Sequence, residues 1–76
     1  MNNQDYSGAL LDFNKAIEQD TLNATLFNNR GMTYYALQEW GKAIADLSEA
    51  VKLNPNNEMF KKNLSDTRAL QSQVAK

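Results

Sequence analysis

The chain has 76 residues, a net charge of -1, no cysteine and no histidine. A length of this order allows one small domain that buries only about 60% of its unfolded surface. The composition excludes disulfide staples, thiolate or imidazole metal sites and histidine acid–base chemistry, and the charge gives no general reason to expect nucleic acid as a partner.

Helical spacing runs along the whole chain, and no stretch of alternating β-branched residues suggests a strand. Tyr6, Ala9, Leu10, Phe13, Ala16 and Ile17 recur at steps of three and four and predict a first helix near residues 5–20. Asp20 to Asn23 form a short link. Leu26, Phe27, Tyr34 and Leu37 then predict a second helix near 24–37, and Gln38 and Glu39 a turn with an imperfect cap. Trp40, Ala43, Ile44, Leu47, Ala50, Val51 and Leu53 give a third stripe over 40–53. Asn54-Pro55-Asn56-Asn57 stops that helix, because Pro55 cannot continue it, and Asn57 is placed to cap a fourth near 58–74. The fourth stripe is weaker: Phe60, Leu64 and Val74, helped by Met59 and Leu70. Connections this short make neighbouring helices antiparallel, so the expected fold class is all-α, about four helices.

One pattern occurs twice. Ala9, Asp12, Phe13, Ala16 and Ile17 return 34 positions later as Ala43, Asp46, Leu47, Ala50 and Val51, preceded each time by an acid, an aromatic and a small residue. A fixed period of this size marks stacked helical units. In the central unit Phe27, Gly31 and Tyr34 on one helix, and Ala43, Leu47, Ala50 and Pro55 on the next, resemble the tetratricopeptide repeat (TPR) pattern. The resemblance implies one complete repeat over 24–57, the second helix of a preceding repeat over 5–23 with Thr21 in place of the usual proline, and a closing helix over 58–76. Together these would form a single domain over 1–76, a short TPR-like α-solenoid. Gly31 and Ala43 are small where two helices would touch, and Tyr34 and Trp40 add apolar area near the same contact. Arg30 stands where leucine is usual, with its stem expected to pack and its head to reach water.

What the family implies about function is protein recognition. Its first helices line a groove for an extended peptide or a helix, which here assigns Thr25, Asn28, Asn29, Met32, Tyr35 and Ala36, with Met59, Lys62, Asn63 and Asp66 added from the closing helix. Asparagine suits that task because one side chain offers a donor and an acceptor to a main chain. The same positions also fit a plain solvated face. Some members grip a C-terminal carboxylate with a basic clamp. Asn29 matches one clamp position, but Met59 and Asn63 stand where Lys and Arg are expected, so no clamp is predicted.

The expected role is therefore a scaffold or adaptor in the cytoplasm that binds a protein or peptide, without enzymatic activity, cofactor, metal, nucleic acid or membrane. The alternative is self-association. No helix precedes residues 5–20 to cover them, so Leu10, Phe13 and Ile17 would leave apolar surface for a homodimer, formed by isologous contact or by helix exchange. Lys61, Lys62 and Arg68 lie among Glu58 and Asp66 and read as paired surface charges. Asp12, Glu18, Asp46 and Glu49 read as solvated, and the two Asn-x-Ser/Thr matches at Asn23 and Asn63 as chance.

Overall fold

A computed structural model describes residues 5–74, with side chains to Gln73. The Val74 side chain assigned above to the fourth stripe lies outside the described residues, as do residues 1–4, 75 and 76. Four helices follow one another: α1 (Tyr6–Gln19), α2 (Ala24–Ala36), α3 (Trp40–Leu53) and α4 (Glu58–Val74). Among the described residues there is no strand, and no helix is long and apolar enough to cross a membrane.

The helix starts are fixed locally. Asp5 Oδ1 accepts from the Gly8 N–H at 2.9 Å, Asn23 Oδ1 from Leu26 at 3.3 Å and Asn57 Oδ1 from Phe60 at 3.0 Å. Each side chain satisfies an amide that the helix itself leaves without a partner. Glu39 begins α3 without a side-chain cap. The end of α2 is a left-handed turn at Gln38, with φ at 62°. The Gln38 N–H donates to the Tyr35 carbonyl and the Glu39 N–H to the Tyr34 carbonyl, both at 3.0 Å. That pair of bonds reverses the chain within two residues.

α2 packs on α3 most extensively and on α1 as well, α3 packs on α4, and α2 brushes α4; among the described helices α1 meets α2 alone. The molecule measures 37 × 34 × 19 Å, so its thin direction is two helices deep. The core lies between α2, α3 and α4: Ala43, Leu47, Ala50, Phe60 and Thr67 are almost fully buried, with Gly31 closing the α2 side. A Cβ on Gly31 would sit 3.0 Å from Leu47 Cγ and 3.1 Å from Asp46 Cβ. Glycine here eases the close approach of α2 to α3, since any side chain would require Leu47 or Asp46 to shift. Thr67, absent from the predicted stripes, hides its hydroxyl by donating to the Asn63 carbonyl at 2.8 Å.

Two expectations are corrected. Asp46 is not solvated: it is 6% exposed. Nor does the Arg30 head go to water. Its Nε and Nη2 donate to the two Asp46 oxygens, both at 2.8 Å, and Nη1 donates to Asn14 Oδ1 at 2.8 Å. The bidentate bond to Asp46 is the main reason the guanidinium pKa is raised above its ordinary value, against the opposing effect of burial. Arginine in a leucine position thus links three helices, α1, α2 and α3, through one planar group.

Candidate functional site

The face formed by α2 and α4 gathers most of the residues assigned to a peptide groove. Both helices are set by asparagine caps, Asn23 and Asn57, so their first turns present side chains in a fixed register. On α2, Thr25, Asn29 and Ala36 are exposed, Met32 and Tyr35 are half-buried, and Asn28 is buried at 4% exposure. On α4, Met59, Lys62 and Asp66 are exposed and Asn63 is half-buried.

The structure joins two of these residues directly. Asn63 Nδ2 donates to Asn28 Oδ1 at 3.0 Å, across 35 positions of sequence. This bond ties α4 to α2 and orients both amides. Asn28 Oδ1 is thereby occupied, and Nδ2 meets no acceptor among the described residues. A donor to spare on an otherwise buried amide favours a carbonyl of an incoming chain, because an unmet donor costs about 1–3 kcal/mol once water is displaced.

The other side chains are positioned less tightly. Lys62 Nζ lies 3.0 Å from Asp66 Oδ2, one turn along α4, so the one cation assigned to this face has its own carboxylate. The Tyr35 ring meets Trp40 edge to face, centroids 5.5 Å apart at 82°. The Tyr34 ring carries Lys42 Nζ at 5.6 Å from its centroid. Thr33 Oγ1 donates to the Asn29 main-chain carbonyl, and Asn29 is exposed. Met59 is 57% exposed and offers a soft apolar contact that adapts to different side chains.

The result is an open polar–apolar face with balanced charge. Among the described residues there is no enclosed pocket and no group of three or more acidic, histidine or cysteine side chains able to hold a metal. Leu10, Phe13 and Ile17, assigned to self-association, lie apart from this face on α1, where all three are half-buried. The Asn28–Asn63 bond was not foreseen. The available signal was that both asparagines fall at the same side of consecutive first helices, where the family's stacking brings them together.

Comparison with known proteins gives a consistent picture. The tetratricopeptide repeat family model matches residues 24–57. The small glutamine-rich tetratricopeptide repeat-containing protein of Dictyostelium discoideum is 48% identical over 56 residues, covering 74% of this chain and 17% of that protein. Heat shock protein STI1 of Saccharomyces cerevisiae is 41% identical over 54 residues, 70% of this chain and 9% of the relative. Sperm-associated antigen 1 of Mus musculus is 35% identical over 63 residues, 83% and 7% respectively. The chain therefore spans less than a fifth of the length of these relatives.

Proposed function

The chain belongs to the tetratricopeptide repeat family, whose repeats are protein–protein interaction modules, and on that premise we propose that its α2–α4 face binds a peptide or helix of a partner protein, as a scaffold or adaptor in the cytoplasm. The observation that carries this reading is the Asn28–Asn63 bond, which leaves the Asn28 donor over an otherwise neutral face. Asn29 and Thr25 extend the line of polar groups along α2, and Met59 and Met32 supply apolar contact on either side of it. Main-chain groups of the ligand would meet the amides, and an aliphatic side chain would rest on the methionines. Lys62 is matched by Asp66, so a terminal carboxylate is not the expected ligand.

The test is a peptide array probed with the whole protein and with the double variant Asn29→Ala, Met59→Ala. Both substituted side chains are exposed, so helix content should not change. Peptides bound by the parent and lost by the variant support the assignment. A parent that binds nothing, or a variant with the same binding pattern, refutes it.

A further inference from the structure

α1 and α3 both pack on α2 and do not pack on each other. One side chain nevertheless bonds to both. Arg30 of α2 donates from Nε and Nη2 to the two oxygens of Asp46 on α3, and from Nη1 to Oδ1 of Asn14 on α1. Among the described residues, the Asn14 bond is the one side-chain hydrogen bond between α1 and another helix, and no ion pair joins α1 to another helix. The apolar contact around it is modest. Leu10 and Ile17, four and three positions away on the same side of α1, are half-buried, and α1 holds no fully buried residue.

The two ends of the guanidinium differ in setting. Asp46 is buried, and its bidentate bond fixes the plane of a side chain that would otherwise sample many rotamers. The Phe27 ring, with its centroid 5.7 Å from Arg30 Cζ, supports the same plane. Asn14 is exposed, so water competes for its carbonyl. A hydrogen bond at such a site adds stability mainly when its donor is already held in place, because ordering a long side chain otherwise offsets the gain. Asp46 and Phe27 supply that order.

We propose that Arg30 is a strap that holds α1 on α2, and that Asp46, on a helix α1 does not touch, keeps the strap drawn. With the bidentate bond made, Nη1 waits at the Asn14 position and α1 seats on a preformed donor. With that bond broken, the guanidinium turns to water and α1 keeps its apolar contact alone. α1 can therefore leave and return while α2, α3 and α4 stay packed, and the α3 acid sets how often it does. Coupling of this kind is reciprocal, so a seated α1 also steadies the Arg30–Asp46 pair. The strap uses no side chain assigned to the α2–α4 face, and the two proposals stand or fall separately.

The test is native-state amide exchange of the whole protein, read by NMR for the amides of α1 and, as an internal reference, of α3. Asn14→Val removes the acceptor from an exposed position at nearly unchanged helix propensity. It should lower protection in α1 about fivefold, within the range for residues of one network, and leave α3 as it was. Asp46→Asn keeps the size of the acid and breaks the bidentate bond. On that background, with Arg30 still present, Asn14→Val should lower α1 protection by less than about twofold. Asp46→Ala with Arg30→Leu gives a second background, in which apolar groups replace the buried pair and the strap is gone. There too the effect of Asn14→Val should vanish, and this background decides if Asp46→Asn does not fold. No loss in α1 on the parent overturns the proposal, as does an equal loss in α1 and α3. A loss that persists undiminished on either background also overturns it, because Asn14 would then hold α1 without a positioned Arg30.

Discussion

The α2–α3 hairpin holds Gly31, Ala43, Asp46, Leu47 and Ala50 out of water, whereas α1, built on nearly the same pattern as α3, has no buried residue. The difference is in neighbours, not in residue types. α3 is sandwiched between α2 and α4, whereas among the described helices α1 packs on α2 alone. A helix in this architecture gains its stability from the helices stacked on it, so one pattern yields a core element in one place and a half-covered flank in another.

Substitutions at six positions break or sharpen that contrast. The largest effect is expected from Leu47→Ala, which opens a cavity between α2 and α3 and costs roughly 3–5 kcal/mol in chemical denaturation. Phe13→Ala removes a larger side chain at the matching position of α1. It should nevertheless cost about half as much, because its ring is only partly withdrawn from water. An equal or greater cost for Phe13→Ala would mean that α1 is as well covered as α3.

Next is Asp46→Ala. It leaves the Arg30 guanidinium without its bidentate partner and should cost about 3 kcal/mol, the low end for a buried pair because the Arg30 side chain keeps 22% exposure. Adding Arg30→Leu should restore much of the loss, since two apolar groups replace a desolvated pair. A double variant no more stable than Asp46→Ala alone would show that the Arg30–Asn14 bond to α1 matters more than the pair itself.

Smaller still is the cap of α4. Asn57→Ala should lower stability by about 1 kcal/mol and speed amide exchange in the first turn of α4, with α3 protected as before. The smallest change is a gain. Gln38 holds φ at 62°, a conformation that glycine adopts without a Cβ penalty. Gln38→Gly should raise stability by about 0.5–1 kcal/mol, measured as a higher melting temperature. A loss instead would mean that the Gln38 side chain makes a stabilising contact of its own.

Much of this architecture was legible in the sequence. The four helices fall within a residue of the predicted limits at every described end, because apolar spacing, Pro55 and the asparagine caps act within a few residues of chain. Gly31 and Ala43 were readable as points of close approach because small residues inside otherwise bulky stripes have few other uses. Asp46 was not readable. An acid on an amphipathic helix looks solvated until a specific cation arrives from another helix. Arginine in a leucine position was the one clue that such an acid had to exist. The edge-to-face contact of Tyr35 with Trp40 was likewise not readable, because spacing along the chain does not say which of two adjacent tyrosines meets a ring on the next helix.

By itself the sequence determined the helices, their ends and their repeat, since these depend on hydrogen bonds and side-chain spacing over three or four residues. Tertiary structure alone decided which side chains lost their water, which asparagine met which, and where the Arg30 charge went. Those outcomes depend on partners 16 and 35 positions away, brought within about 3 Å only when helices stack.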